Sequence, residues 1–229
     1  MNILGMENVS FVDYEGYMCS TIFTGGCNFM CPFCHNAGIV HLNPKPIDEE
    51  EVLTYLQGRT KLLDAVTISG GEPTLQRDLK EFIKKVKNLG YKVKLDTNGT
   101  APQVIKDLIE EKLIDFVAMD IKTSFNDYPR VSGVNFNYQD KVKETLNILK
   151  QSNIDYELRT TLVSEFHNEK VIEEMKQDLK DSKRLYLQKF VDNGTCIKTG
   201  LNAVDKNTAV KYLNLLSQTI DEVKLRGYN

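Results

Sequence analysis

Three cysteines in one short segment are the residues of this chain whose types and spacing could do chemistry. Cys27, Cys31 and Cys34 follow the pattern C-x3-C-x2-C. Three thiolates in one loop can hold three corners of a cubic iron–sulfur cluster, which leaves the fourth iron without a protein ligand. An iron with a vacant position can bind and activate a small molecule, whereas a cluster with four cysteine ligands suits electron transfer. The segment therefore predicts a 4Fe–4S cluster with one open iron.

Zinc binding and disulfide formation are the alternative uses of these cysteines. A structural zinc ion needs a fourth Cys or His in tetrahedral geometry, and His35 is too close to Cys34 for an ordinary zinc finger. Three cysteines cannot all pair in disulfides. Cys19 and Cys196 have no C-x-x-C partner, so a second cluster is not expected. We expect Cys19 to be a packed thiol in a strand and Cys196 to be an exposed thiol in a loop.

Polar segments follow three further predicted strands. Gly70-Gly71-Glu72-Pro73 follows one of them; its glycines permit a ligand to approach the backbone, and Glu72 could hold an ammonium group. Asp96-Thr97-Asn98-Gly99 and Met119-Asp120-Ile121-Lys122 follow the next two strands. An ordinary polar turn is the alternative for each segment. Because parallel strands place their sites at their carboxyl ends, these segments and the cysteine loop predict one active site.

The elements that must position these segments alternate between strands and helices. Alternating strands and helices imply parallel strands with right-handed crossovers. Six units are fewer than the eight of a full barrel. We therefore expect an α/β fold, a partial (β/α)6 TIM-like barrel with parallel strands, as a single domain over residues 1–229. The patterns predict strands at 17–24, 64–69, 91–95, 114–119, 154–163 and 184–190, and a last helix over 206–223.

The composition excludes several classes of protein. The chain has 229 residues and a formal net charge of −3, so no basic excess indicates nucleic-acid binding. Five cysteines, an odd number, favour a reducing compartment. The first ten residues contain no charged segment followed by an apolar core, and no run reaches the roughly 18 apolar residues of a membrane helix. We expect a cytoplasmic protein that binds neither nucleic acid nor membrane.

The cysteine segment, with the aromatic Phe33 before its last cysteine, resembles the signature of radical S-adenosylmethionine enzymes. The resemblance covers nearly the whole chain, and such enzymes commonly have a partial (β/α)6 barrel. Within that family, several segments resemble the activating proteins of anaerobic ribonucleoside-triphosphate reductases, which belong to the glycyl-radical enzyme activases. Those segments are Phe11-Val12-Asp13-Tyr14, Cys34-His35-Asn36, and residues 65–75, 94–100 and 114–122.

The resemblance implies roles around S-adenosylmethionine. Gly70, Gly71, Glu72 and Pro73 would form the motif that holds its amino group. The segments with Asn98, Asp120 and Lys122 would flank its nucleoside and carboxylate, and Arg159 would lie near the same carboxylate, although a surface charge is the alternative for Arg159. The positions that would line a small monovalent-cation site are Asp96, Thr97 and Asp120.

The same resemblance bears on Asp13, on His35 and on the segment after the sixth predicted strand. Asp13 would contact the backbone of the target glycine loop, although Glu15 stands where proline is more usual and a solvated turn is the alternative. His35 would support the cluster rather than take part in catalysis. Activators of pyruvate formate-lyase have a histidine near the adenine, whereas this chain has Gln188-Lys189-Phe190-Val191. That difference favours the reductase activators and leaves the adenine contact unassigned.

The resemblance also implies a reaction and partners. The open iron would chelate S-adenosylmethionine, and an electron from flavodoxin or ferredoxin would cleave it to methionine and a 5′-deoxyadenosyl radical. That radical would take a hydrogen atom from a glycine of the reductase large subunit. The alternatives are activation of another glycyl-radical enzyme such as pyruvate formate-lyase, and a radical enzyme acting on a small molecule or peptide. A non-catalytic iron–sulfur or zinc protein would leave the strand-end segments unexplained.

Overall fold

One eight-stranded sheet, with its strands in sequence order, organises the computed structural model, which describes residues 1–228. The first strand is antiparallel to the second, and every later pair of neighbours is parallel. The mostly parallel α/β sheet confirms the predicted fold class. The strands are β1 Ile3–Ser10, β2 Cys19–Thr24, β3 Ala65–Gly70, β4 Lys92–Thr97, β5 Phe116–Asp120, β6 Asp155–Leu162, β7 Arg184–Lys189 and β8 Glu222–Arg226.

Helices connect the parallel strands, and their ends follow from local sequence. Asp48 accepts a hydrogen bond from the backbone N–H of Glu50 at the start of one helix, and Pro102 occupies the first turn of another. Within residues 1–228, no helix is long and apolar enough to cross a membrane. The helices are α1 Ala37–Val40, α2 Glu49–Gln57, α3 Leu79–Asn88, α4 Pro102–Glu110, α5 Tyr128–Ser132, α6 Gln139–Gln151, α7 Glu169–Asp178 and α8 Lys206–Leu216.

The end of the chain differs from the prediction. The predicted helix over 206–223 stops at Leu216, and β8 pairs in parallel with β7. Ile220 and Val223 continue the helical spacing of apolar residues, which is why the sequence favoured a longer helix. Val223 also alternates with Leu225 at the spacing of a strand, and a strand forms here because the edge of β7 supplies backbone partners.

The sheet stays open, because β1 and β8 are its two edges. We call the gap between these edge strands the seam. β1 was not predicted; Gly5 and Asn8 interrupt it with residues that are poor strand formers. Its pairing with β2 compensates for that weak propensity. The loop between β1 and β2, residues 11–18, lies at the N-terminal ends of the parallel strands.

The two faces of the sheet differ in chemistry. Val93 and Leu95 of β4 are fully buried, and they join the apolar core with the stripe of α3 that includes Phe82 and Val86. Lys94 and Asp96, on the other face of the same strand, are largely buried and paired with each other at 3.2 Å. The inner face of the curved sheet is therefore polar, and it holds the charged groups of the site.

Candidate functional site

The cysteine loop begins where β2 ends, as the sequence predicted. Cys27, Cys31 and Cys34 all line one cavity of about 420 Å³. The N–H of Met30 donates to the carbonyl of Ser132 at 2.8 Å, which fixes the loop against α5. Burial raises the pKa of the Cys27 thiol to about 11 and that of the Cys31 thiol to about 12. Metal binding would therefore have to displace protons that these thiols hold firmly.

The arrangement of the three thiols helps to distinguish a zinc site from an iron–sulfur cluster. Among residues 1–228, no group of three or more His, Cys, Asp or Glu side chains is placed to hold a metal ion. A tetrahedral zinc site brings its ligands onto a single ion, whereas each cysteine ligand of a cubic cluster binds a different iron. Three cysteines around one cavity therefore fit a multi-iron cluster better than they fit zinc.

Gly70 and Gly71 bring the end of β3 against the cysteine loop. Gly70 has a φ of +118°, and a Cβ on Gly71 would lie 1.8 Å from the carbonyl oxygen of Gly26. The N–H of Glu72 donates to that same oxygen at 2.8 Å. The sequence favoured ligand approach as the role of these glycines. They line the cavity, but they also have a packing role that no sequence pattern indicated.

The carboxylate of Glu72 is fully buried and accepts four hydrogen bonds. Its donors are the N–H and hydroxyl of Thr74, at 3.1 and 2.5 Å, the hydroxyl of Thr97 at 2.8 Å and the N–H of Asn98 at 2.6 Å. Burial raises the pKa of this carboxyl, although the donors act in the opposite direction. Glu72 thus joins the ends of β3 and β4 at the edge of the cavity.

An amide network joins β4 to the cysteine loop. The side-chain amide of Asn98 donates to the Asn28 carbonyl oxygen at 2.8 Å and lies 3.9 Å from the sulfur of Cys27. Asn28 donates in turn to the hydroxyl of Thr100 at 2.8 Å. An N–H directed at a cysteine sulfur tunes the electronics of a cluster bound there. Asn98 is therefore placed to act on Cys27 as well as on a ligand.

Arg159 bridges two carboxylates across three strands. Its guanidinium donates to Asp120 at 2.9 Å and to Asp96 at 3.1 Å, so the alternative of a surface charge is wrong. Burial opposes the ionisation of both aspartates, but the charge of Arg159 outweighs burial and holds the pKa of each carboxyl below its usual range. Lys122 adds to this effect at Asp120, and Lys94 adds to it at Asp96. A monovalent cation would compete with Arg159 for these carboxylates.

Lys122 is held at the cavity by Asp120 and by the buried Tyr128. Its ammonium lies 3.0 Å from Asp120; burial disfavours that charge, but Asp120 outweighs burial and raises the pKa. Its N–H donates to the hydroxyl of Tyr128 at 3.1 Å. Tyr128 is 1% exposed, so it is not a surface aromatic. Lys122 also lines the cavity, where its charge is available to an anionic ligand.

His167 is a buried histidine rather than a residue of the surface or of a helix cap. The side chain is 2% exposed. Its Nδ1 lies 3.0 Å from the backbone nitrogen and 3.1 Å from the carbonyl oxygen of Val163, and its Nε2 lies 3.0 Å from the carbonyl oxygen of Lys122, to which it can only donate. Burial lowers the pKa of this imidazole. His167 therefore supports the backbone of Lys122 in its neutral form.

Asp13 lies at the junction of two cavities. It lines the cavity of the cysteines and a second cavity of about 570 Å³ toward the N-terminal ends of the strands. Its carboxylate accepts from the hydroxyl of Thr21 at 2.6 Å, and its carbonyl accepts from the ammonium of Lys94. Tyr186 and Arg226 are among the residues that line the second cavity. Asp13 is therefore part of the wall of both cavities.

Sequence reasoning missed the segment that covers the cysteine loop. The N–H of Ile197 donates to the Cys34 carbonyl at 3.2 Å, and the hydroxyl of Thr195 donates to the His35 carbonyl at 2.7 Å. Cys196 was predicted to be exposed, but it is 8% exposed, because this segment packs on the loop. No sequence pattern signals a contact between residues some 160 positions apart. Gln188, in the segment for which the sequence left the adenine contact unassigned, also lines the cavity.

Comparisons with known proteins agree with this geometry. A model of the radical SAM superfamily matches residues 21–179. Over 194 residues, the chain is 36% identical to a Methanocaldococcus jannaschii protein named, by inference, a glycyl-radical enzyme activating enzyme; the match covers 82% of this chain and 79% of that one. Over 116 residues, it is 35% identical to a Saccharolobus solfataricus protein named, by inference, a GTP 3′,8-cyclase, covering 48% of this chain and 37% of that one.

A solved structure shows the same fold. Streptococcus suis SuiB bound to S-adenosylmethionine superposes with a TM-score of 0.65 at 16% identity, covering 88% of this chain and 48% of that one. The fold and the three-cysteine site define a radical S-adenosylmethionine enzyme. The chain belongs to the radical SAM superfamily, and membership implies a 4Fe–4S cluster and S-adenosylmethionine as its cofactors. The three thiols and the cationic groups that share the cavity fit those cofactors.

Proposed function

We propose that this chain is an activating enzyme that places a glycyl radical on the large subunit of an anaerobic ribonucleoside-triphosphate reductase. The name of the Methanocaldococcus jannaschii relative, matched over 79% of its length, supports activation of a glycyl-radical enzyme. The observation that carries the proposal is the position of Asp13, at the junction between the cysteine cavity and a second cavity of about 570 Å³. A small substrate has no need of that second space, whereas a chain segment that contacts Asp13 could occupy it.

The chain's own residues bind and orient the reactants in this proposal. Cys27, Cys31 and Cys34 hold the cluster, and when it is bound and reduced it supplies the electron that cleaves S-adenosylmethionine. Lys122 and Arg159 offer positive charge to the carboxylate of that cofactor. Phe29 and Phe33 line the cavity, as do Phe23 and Val40, and these apolar walls exclude water from a reactive radical.

The remaining binding roles in the proposal come from the resemblance to other radical S-adenosylmethionine enzymes. The Gly70-Gly71-Glu72-Pro73 segment would hold the amino group of S-adenosylmethionine, and Asn98 would face its nucleoside. A monovalent cation would lie at Asp96, Thr97 and Asp120, provided that it displaces Arg159. Flavodoxin or ferredoxin would donate the electron. The protein would consist of a single domain and act in the cytoplasm.

The test is an anaerobic incubation with two partners in parallel. The reconstituted protein, dithionite and S-adenosylmethionine are mixed with the large subunit of the reductase or with pyruvate formate-lyase, and a glycyl radical is sought by electron paramagnetic resonance. We expect the radical on the reductase subunit, and none with Cys27→Ser. A radical on formate-lyase alone would reassign the partner. 5′-Deoxyadenosine without either protein radical would favour a small-molecule or peptide substrate.

A further inference from the structure

The loop between β1 and β2 crosses the N-terminal end of the barrel. We call residues 11–18 the floor loop. The ammonium of Lys94, on β4, donates to the carbonyl of Asp13. The ring of Tyr14 packs against that of Phe116, on β5, with centroids 5.5 Å apart. The floor loop is therefore anchored to the middle of the sheet on the side where Asp13 faces the cavities.

One hydrogen bond connects the floor loop to β7, beyond the middle of the sheet. The hydroxyl of Tyr186, on β7, donates to the carboxylate of Glu15 at 3.2 Å, between residues 171 positions apart. Tyr186 is itself fixed, because the guanidinium of Arg226 stacks 3.9 Å from its ring centroid and lies 3.6 Å from the carboxylate of Glu157. Since the loop follows β1 and Tyr186 neighbours β8, this hydrogen bond connects the two sides of the seam.

The backbone around Glu15 explains why a side-chain contact matters there. The N–H of Tyr17 donates to the carbonyl of Tyr14 at 3.0 Å, and Gly16 has a φ of +84°. Those features fit a type II turn with Glu15 in its second position, where proline is favoured because it pre-sets the backbone. Glutamate supplies no such restraint. The contact with Tyr186 is the restraint that its side chain adds.

We propose that Glu15 and Tyr186 form a clasp across the seam that positions Asp13 toward the partner's glycine segment. The clasp itself follows from the contacts above, and only its effect on a partner rests on the proposed function. Glu15 and Tyr186 are positioning residues, because they act through Asp13. The clasp limits the opening of the floor loop, so removing the Tyr186 hydroxyl should loosen the loop about threefold to tenfold, as expected for one hydrogen bond.

Hydrogen exchange at the backbone amides of the floor loop tests the clasp in the reconstituted protein. Tyr186→Phe keeps the ring under Arg226 but removes the donor, so these amides should exchange about threefold to tenfold faster. Glu15→Pro replaces the side-chain restraint with a backbone restraint. In that background, adding Tyr186→Phe should change nothing further. Equal exchange in the wild type and in Tyr186→Phe would overturn the clasp.

Steady-state kinetics test the positioning role. With the reductase large subunit as substrate, Tyr186→Phe should raise the apparent KM for that subunit about threefold to tenfold, while the KM for S-adenosylmethionine stays the same. Glu15→Pro/Tyr186→Phe should behave like Glu15→Pro. Faster exchange with an unchanged KM for the subunit would overturn the positioning role. If the wild type forms no radical on this subunit, the proposed partner is wrong, and hydrogen exchange still decides the clasp.

Discussion

Glu72 shows how one buried carboxylate can organise a site. Four donors from two strand ends converge on it, and it has no exposure to solvent. The sequence analysis expected it to bind an ammonium group, and its place on the cavity wall keeps that expectation open. The structure adds that the shape of the cavity edge depends on the same side chain.

Glu72→Ala should therefore damage both stability and cofactor binding. Removing the carboxylate leaves buried donors unpaired, which should lower the free energy of unfolding by about 3 kcal/mol. Glu72→Gln keeps one acceptor oxygen and should cost less than half as much. Denaturant unfolding of the apoprotein measures the first effect, and equilibrium binding of S-adenosylmethionine to the reconstituted protein measures the second. Unchanged affinity in Glu72→Gln would remove the charge of Glu72 from the binding site.

His167 gives the stability of the protein a pH dependence. Burial lowers the pKa of the folded imidazole below its ordinary value of 6.5. Well above pH 6.5 the imidazole is neutral in both the folded and the unfolded protein, and its contribution to stability is fully present. As the pH falls, the unfolded protein binds a proton that the folded protein does not bind. The free energy of unfolding should therefore fall by up to about 1.4 kcal/mol per pH unit below 6.5.

Two variants separate this contribution from other titrations. His167→Gln should reduce the dependence between pH 6.5 and pH 5, because glutamine takes up no proton there; His35, whose pKa burial also lowers, keeps its own contribution. His41 is an exposed residue at the end of α1, so His41→Gln is the matched control for the loss of a histidine side chain. Urea unfolding at several pH values measures the slopes. A wild-type slope in His167→Gln would contradict the assignment.

At the scale of elements, the end of β3 and the cysteine loop pack through glycine. A Cβ on Gly71 would lie 1.8 Å from the oxygen of Gly26, a backbone atom that cannot rotate away. We expect Gly71→Ala to lower the free energy of unfolding by about 3 kcal/mol and to reduce iron incorporation. A Cβ on Gly38, in α1, would meet nothing within 4 Å, so Gly38→Ala should change neither. Equal iron loading by both variants would show that this contact does not shape the cluster loop.

The contact of three strands through Arg159 gives a second prediction for the elements. Arg159→Ala leaves Asp96 and Asp120 without the group that bridges them, and we expect a loss of about 3 kcal/mol in the free energy of unfolding. Arg159→Lys should recover little of this loss, because an ammonium cannot reproduce the two-pronged geometry of a guanidinium. Added potassium that restored the stability of Arg159→Ala would support a monovalent cation at the two aspartates. Full stability of Arg159→Ala without added cation would contradict the role of the bridge.

At the scale of the whole molecule, the sequence predicted those features that depend on hydrophobic periodicity and on local motifs. The cysteine loop and the segments at Glu72, Asp96 and Asp120 were expected at the carboxyl ends of neighbouring strands, and they lie there around one cavity. Their position follows from the rule that parallel strands share an edge. The apolar stripe of α3, with Leu79, Phe82, Ile83 and Val86 buried, has a helical spacing that lies within ten residues of sequence.

The features that the sequence did not predict depend on long-range pairing. β1 and β8 have weak or ambiguous local patterns, and each becomes a strand because a neighbouring edge is available. The burial of His167 and Cys196 is likewise set by segments distant in sequence. The contact of Glu15 with Tyr186 joins residues 171 positions apart, and it exists only because the fold brings β7 to the loop after β1. Contacts of this kind have no signature in a single sequence.

The central claim concerns the whole molecule and its partner: the enzyme takes a hydrogen atom from a glycine of the reductase large subunit. The most direct measurement uses that subunit prepared with α,α-dideuterated glycine, incubated anaerobically with the reconstituted enzyme, dithionite and S-adenosylmethionine. Mass spectrometry of the 5′-deoxyadenosine formed should find one deuterium per molecule, in proportion to the protein radical. 5′-Deoxyadenosine that forms in the presence of the deuterated subunit but carries no deuterium would contradict the account.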